Sequence, residues 1–380
     1  MSSEDLEKEV LDEKQGSILL GLISQLRKGS DLHRVTLPTF VTSTKDDSVM
    51  RFLDVVRYFL SIWHVRPKGV KKPYNPVLGE MFRCSWNFDN GTEGFYICEQ
   101  VSHHPPISAY VFSSPENKVL ISGEVRPTSK FLGNSAATIM GGNSTIQFTN
   151  RPEEKYEISY PNIYARGILF GTMYMEMGDT ATISCSKSNL VCELEFKVKG
   201  FFTGTYNGIS GKIKDVSTGE VLFNISGKWS DTIYIQKPTW PNKDVFFSVE
   251  ESNIQEKTVP DEADMNEFES RLLWSKVTQA IIDRDMDVAT EEKTLIEDNQ
   301  RLVEKQRTKG GKVWENQFFV RPEGEETWKL RCELPMDDPE TAKRDIKQFI
   351  FSPPRLTQYG RFWVSKENIE DEGEEAVAQE

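Results

Sequence analysis

From Cys192 onward, the stretch Val191-Cys192-Glu193-Leu194-Glu195-Phe196-Lys197-Val198 alternates apolar and charged side chains. Successive side chains of an extended chain point to opposite faces, so a period of two describes a strand with one face buried and one in water. The same texture extends outward over 79–237 as short aromatic and β-branched runs cut by turn residues. Gly94-Phe95-Tyr96-Ile97-Cys98 and Tyr156-Glu157-Ile158-Ser159-Tyr160 are examples. Thr218-Gly219, between Ile213 and Val221, reads as a hairpin turn. Roughly ten such strands run with no helical stretch among them. So wide an antiparallel sheet must be closed or covered, and the predicted fold is mainly β with flanking helices, built on a large antiparallel barrel or half-barrel.

Helical periodicity brackets this region. Ser17 precedes Ile18, Leu19, Leu22, Ile23 and Leu26, a capped, one-faced helix ending near Gly29. Leu37-Pro38-Thr39-Phe40 then forces an extended stretch, because the residue before proline avoids the α region. Ser48 is read as the cap of a second helix, with Val49, Phe52, Leu53, Val56, Phe59, Leu60 and Trp63 at helical spacing over 48–66. Further helices are predicted at 267–283, with Phe268, Leu272, Trp274 and Ile281 on one face, and at 290–309, within a C-terminal helical subdomain over 256–310. The whole reads as one integrated domain, 15–365, between acidic tails at 1–14 and 366–380.

Composition bounds the function. The 380 residues carry 46 Lys+Arg against 59 Asp+Glu, a net charge of −13, and 37% are hydrophobic, enough for a large core. An acidic balance argues against nucleic acid, whose phosphates need a basic face. Yet the two tails together contribute −10, leaving −3 for 15–365. The run 18–23 is too short for a transmembrane helix or a signal peptide. Five cysteines (Cys84, Cys98, Cys185, Cys192 and Cys332), with no CxxC spacing, point to reduced thiols in the cytosol rather than to disulfides or a metal site.

Three clusters hold groups that could do chemistry. Glu99-Gln100-Val101-Ser102-His103-His104-Pro105-Pro106 contains two of the four histidines. Adjacent residues share a site only where the chain turns, which Pro105-Pro106 favours. No third ligand stands at metal spacing and no nucleophile is identifiable, so structural and anion-binding roles stay open ahead of catalysis. Lys68, Lys71 and Lys72 precede Pro73-Tyr74-Asn75-Pro76, either a solvated loop or a rim for an anionic headgroup. Lys293, Glu297 and Arg301 follow i, i+4, i+8 spacing, which drifts ~40° per step and keeps them on one side of a helix. They form either an exposed ladder or a carboxylate orienting two cations toward a phosphate. The small polar residues of 123–142, with Lys130, Phe131, Leu132, Gly133, Asn134 and Ser135, could line a ligand. Val245-Phe246-Phe247-Ser248-Val249-Glu250-Glu251 reads as a core strand. Nucleotide-loop, zincin, nucleophile-elbow and kinase patterns are absent, and no cofactor is predicted.

The eight residues Glu99 to Pro106 closely resemble the signature of the oxysterol-binding-protein-related family. Lys71-Lys72-Pro73-Tyr74-Asn75-Pro76-Val77-Leu78-Gly79-Glu80 resembles its other strong motif. Several segments are similar to one branch, the short yeast homologues that exchange phosphatidylserine for phosphatidylinositol 4-phosphate. These include Thr36-Leu37-Pro38-Thr39-Phe40, Phe131-Leu132-Gly133-Asn134-Ser135 and Ala289-Thr290-Glu291-Glu292-Lys293. The resemblance implies a large, near-complete antiparallel β-barrel around a lipid tunnel, an N-terminal lid over 15–40, and a non-enzymatic lipid carrier with sterol as the alternative second ligand. A phosphoinositide sensor without net transport is a further alternative. It implies that Lys72, Asn75, His103, His104, Lys293 and Arg301, with Glu297 beside them, hold the phosphoinositide head, and that Lys72, Asn75, Asn134 and Ser135 hold the serine head. Ile18, Leu22, Ile23 and Leu26 of the lid, with Leu37 and Phe40, would meet the acyl chains. The expected setting is a cytosolic monomer touching membranes briefly at endoplasmic reticulum–plasma membrane contacts. One departure is visible: relatives carry a longer helical stretch where this chain crosses with only 41–48.

Overall fold

The computed structural model describes residues 45–64, 74–170, 174–199, 205–252, 255–335 and 337–352. The expected lid with Ile18, Leu22, Ile23, Leu26, Leu37 and Phe40, the cations Lys68, Lys71 and Lys72, and both tails lie outside these residues. The first described helix, α1 (Ser48–Ile62), is capped by Asp47, whose carboxylate accepts from the Val49 N–H at 2.8 Å, and Ser48 is already its first turn.

Among the described residues, fourteen strands form one sheet, paired antiparallel throughout. They are β1 (Met81–Asn87), β2 (Glu93–Ser102), β3 (Ile107–Ser114), β4 (Val119–Phe131), β5 (Ser135–Gly141), β6 (Ser144–Phe148), β7 (Lys155–Ile158), β8 (Asn162–Arg166), β9 (Tyr174–Cys185), β10 (Leu190–Lys197), β11 (Gly208–Asp215), β12 (Val221–Lys228), β13 (Thr232–Gln236) and β14 (Asp244–Ser248). The alternating stretch is β10, with Leu190, Cys192, Leu194 and Phe196 buried and Glu193, Glu195 and Lys197 outside. The sheet forks at β4: its first half pairs with β6 and its second half with β5, and the branches rejoin on β9 through β7 and β8. The Thr218-Gly219 turn joins β11 to β12, with Gly219 at φ +71° and the Asp215 carboxylate accepting from the Ser217 and Thr218 N–H groups. The acidic diphenylalanine stretch begins in β14, where Phe246 and Phe247 are buried, as the core reading expected. That strand lies beyond 237, so the sheet is wider than the sequence suggested.

The curved sheet wraps α1. Phe52, Val55, Val56, Phe59 and Leu60 share one buried cluster with inward residues from almost every strand, among them Trp86, Phe148, Phe196 and Ile233. Phe52 meets the Tyr156 ring at 6.1 Å and Phe59 meets Phe196 edge-on at 6.5 Å.

The C-terminal part covers the outside. The predicted 267–283 helix divides into α2 (Ser270–Leu273) and α3 (Ser275–Ile282), and α4 (Met286–Lys309) starts four residues before the expected 290. A two-stranded ribbon of β15 (Phe319–Val320) and β16 (Lys329–Leu330) follows, then α5 (Pro339–Phe351), which the periodicity reading did not place. Phe318, Phe319, Ile346 and Ile350 pack on the outer face of β1–β3 against Met81, Phe95, Ile97 and Val111. Arg83 of β1 is buried, pairs with Glu269 at 2.7 Å and donates to the Ile350 carbonyl at 2.9 Å, which fastens sheet to helices.

Candidate functional site

Three segments distant in sequence meet at one end of the sheet. The first is 74–80. Gly79 sits at φ +81°, and a Cβ there would fall 2.2 Å from the Trp314 ring, so only glycine fits. Its N–H donates to the Gln100 carbonyl at 2.9 Å and the Gln100 N–H donates to the Glu80 carbonyl at 2.7 Å, which stitches this stretch onto β2 just before the histidines. The buried Glu80 carboxylate accepts from the Val77 N–H at 3.0 Å and from the Ser270 hydroxyl at 2.7 Å, tying the turn to α2.

The second segment is the 103–106 turn between β2 and β3. The Gln100 amide donates to the Ser102 carbonyl at 2.8 Å and accepts from the Ser108 hydroxyl at 2.5 Å, holding both sides of the turn. Because the chain turns, rings that would diverge in a strand lie together: the His103 and His104 centroids are 4.5 Å apart at 66°. His103 Nδ1 is 3.0 Å from the Pro76 carbonyl. A carbonyl only accepts, so the proton is assigned to Nδ1, and Nε2 is the nitrogen left for a ligand. Burial first, and then the neighbouring His104, hold His103 below the usual imidazole range, against weaker opposite pulls from Pro76, Glu304 and Glu297.

The third segment is α4, capped by the Asp285 carboxylate, which accepts from the Val288 N–H at 3.0 Å. One face of it closes a cavity of about 190 Å³, lined by Asn75, Val77, His103 and His104 on one side and by Glu297, Gln300, Arg301 and Glu304 on the other. The i, i+4 spacing of Glu297 and Arg301 does bring both to one face. Lys293, a turn earlier, approaches Glu297 at 3.9 Å without lining the cavity, and Arg301 pairs with Asp298. Gln300 and Glu304 were not expected; they stand three and seven residues beyond Glu297, positions that a helical projection puts on the same face.

Asn134 and Ser135 lie elsewhere, at the β4–β5 tip. The Asn134 side chain accepts from the Leu169 and Phe170 N–H groups, both at 2.8 Å, and donates to the Phe170 carbonyl at 2.9 Å. Ser135 is buried, 3.4 Å from an Arg166 nitrogen.

Behind the cavity, Glu99 is buried and its carboxylate accepts from the N–H groups of Gln317 at 2.7 Å, Phe318 at 2.9 Å and Phe319 at 3.3 Å. Burial pushes this carboxyl up to about 7 although the three N–H groups and Arg331 pull it down. Glu99 thus fastens the strand leading to the histidines onto the C-terminal cover.

The cavity at the end of this helix-filled antiparallel sheet sets two imidazoles, a guanidinium and two carboxamides beside two carboxylates, Glu297 and Glu304, the arrangement of a polar binding pocket. Comparison with known proteins is more specific. The family model described as oxysterol-binding protein matches residues 41–281. An oxysterol-binding protein homolog of Schizosaccharomyces pombe is 43% identical over 355 residues, spanning 84% of this chain and 74% of its own. Oxysterol-binding protein homolog 6 of Saccharomyces cerevisiae is 39% identical over 397 residues, spanning 96% and 87%, and homolog 7 is 43% identical over 336, spanning 81% and 76%. Among solved structures, the Osh3 ORD in complex with PI(4)P from Saccharomyces cerevisiae superposes with a TM-score of 0.64 at 21% identity, over 91% of this chain and 88% of that one. The Osh1 ORD in complex with cholesterol gives 0.61 at 22%, over 88% and 82%. The chain belongs to the oxysterol-binding protein family, and its fold is that of the family's lipid-binding domain.

Proposed function

We propose that this chain is a non-enzymatic lipid carrier that exchanges phosphatidylserine for phosphatidylinositol 4-phosphate between membranes. The observation that carries this reading is the joint lining of one cavity by Asn75, His103, His104 and Arg301. It gives an inositol phosphate convergent donors from three segments, with Lys72 supplying a further cation and Lys293, held by Glu297, an outer one. The serine head would use Lys72, Asn75 and the β4–β5 tip at Asn134 and Ser135. Homologs 6 and 7 are among the relatives covered along most of their length, and the Osh3 domain that shares this fold is solved with PI(4)P. The cholesterol complex of Osh1 favours sterol as the alternative second ligand.

A tunnel and a lid answer a physical need. Moving a two-chain lipid through water exposes about 30 methylenes at ~0.8 kcal/mol each, on the order of 25 kcal/mol, which the carrier's apolar interior must offset. Charge-assisted bonds of ~1.5–3 kcal/mol each then select the headgroup. Two lipids competing for one interior give exchange, driven by whichever gradient is maintained. This reading has a cytosolic monomer visiting endoplasmic reticulum–plasma membrane contacts.

Liposome assays test it. Phosphatidylserine transfer should speed up under an opposing phosphoinositide gradient. Sterol transfer in its place would select the alternative, and binding without transfer would mark a sensor. His103→Ala with His104→Ala should lower phosphoinositide affinity at least tenfold with unchanged thermal melting; wild-type affinity in that variant would sink the site assignment.

A further inference from the structure

The two ends of the sheet differ. At the end away from the cavity, the β3–β4 turn Pro115-Glu116-Asn117-Lys118 and the β9–β10 turn Ser186-Lys187-Ser188-Asn189 are polar, and the β11–β12 turn carries a single exposed valine, Val216. At the end that carries the 103–106 turn, the loop tips are apolar and in water. Phe131 is 68% exposed and Leu132 51% at the β4–β5 tip, and Leu169 is 57% exposed and Phe170 76% in the neighbouring β8–β9 connection. The register sets these tips side by side, since Ser135 of β5 faces Arg166 of β8. Four hydrogen bonds then lock them: the Asn134 carbonyl accepts from the Ile168 N–H at 3.2 Å, and its side chain makes the three bonds to Leu169 and Phe170 described above. An exposed side chain that spends three hydrogen bonds on holding two apolar tips together has no role in covering a core. Ordinary loops on this fold are polar, as the opposite end shows.

The geometry points to these paired tips as a bilayer-docking prong, with Phe131, Leu132, Leu169 and Phe170 entering the headgroup and acyl boundary at the end of the sheet that carries the cavity. Two observations select a bilayer over a protein partner. The apolar groups are narrow projecting tips rather than a flat face, which suits insertion between lipids more than the broad burial of a protein interface. The exposed charges at this end include Lys130 before the first tip, a cation of the kind anionic headgroups attract, while Lys197 at the end of β10 stands next to the exposed acid Asp179. The choice of a bilayer rests on the carrier reading; the asymmetry between the ends does not.

Vesicle flotation of the full chain, with phosphatidylcholine vesicles with and without phosphatidylserine, tests the prong. Phe131→Ser with Phe170→Ser should weaken partitioning at least tenfold and slow phosphoinositide extraction, while thermal melting stays unchanged. Val216→Ser, which removes an exposed valine from a turn at the opposite end, should partition as wild type. Leu169→Trp, which adds apolar area, should strengthen partitioning. In Phe170→Trp, the emission that exceeds wild type should shift to the blue when vesicles are added. Wild-type partitioning of the double serine variant would overturn the proposal. So would an added indole signal in Phe170→Trp that is already blue in buffer and unmoved by vesicles, which would mean that another part of this chain covers the tips. Titration with soluble inositol 1,4-bisphosphate separates this from the carrier reading: the serine variant should bind it like wild type. Failure of the wild type to bind it, with the blue shift of Phe170→Trp intact, would remove the headgroup site and support the prong.

Discussion

His103 combines two properties that act together on a phosphate. Its Nδ1 is committed to the Pro76 carbonyl, and burial with the adjacent His104 keeps it neutral near pH 7. A neutral Nε2 is an acceptor and cannot bond a phosphate oxygen; a protonated one donates to it with charge assistance. On the proposed reading, ligand binding raises the imidazole pKa and takes up protons at pH 7. The sign follows: affinity rises as pH falls toward the free-state value, until the phosphate's own second ionisation near ~6 opposes it. Calorimetric titrations of the phosphoinositide in buffers of differing ionisation enthalpy should show net uptake for the wild type and none for His103→Gln. Equal uptake in both would exclude His103 as the group protonated. At this scale the sequence displayed the residues but not their company. Asn75, His103 and Arg301 belong to separate runs, each with a bland reading of its own, and only family resemblance had joined them before the cavity did. Asn134 shows the reverse limit, since no pattern announces a side chain spent on the backbone of a loop more than thirty residues away.

Elements were legible where one face meets water and obscure where neither does. β10 reveals itself by alternation because its outer face is solvated. In β1 and β2, inner residues such as Trp86 and Tyr96 join the core around α1, while Met81, Phe95 and Ile97 are covered from outside, so both faces are apolar and the period of two disappears. The cause of that second burial is α5, whose own signals are short: Asp338 caps it by accepting from the Thr341 N–H at 3.2 Å, Pro339 opens it, and Ala342, Ile346 and Ile350 recur every fourth residue. Ile346 is fully buried. Ile346→Ala should cost about 2–5 kcal/mol, read as a lower urea midpoint, and should increase hydrogen exchange in β1–β3 more than in β10–β12. Uniform loosening of the sheet would show that α5 is not a local cover.

Over the whole molecule, charge and connectivity matter more than any one contact. The tails hold −10 of the −13, so the body is close to neutral, and on the carrier reading its ends would be repelled by anionic lipid. Removing 366–380 should slow release from phosphatidylserine-containing vesicles without altering release from neutral ones; identical release from both would leave the tail without this role. The central position of α1 has another consequence, one of time. Its apolar faces are satisfied by strands made much later, as when Phe59 meets Phe196. At about 5–20 residues per second, roughly seven to thirty seconds of synthesis separate those two rings. Throughout that interval the helix emerges with neither its sheet nor its solvent-facing excuse. A nascent chain of this design needs temporary shelter for Phe52, Val56 and Phe59, from a chaperone or from its own earlier residues, before the sheet can close round them.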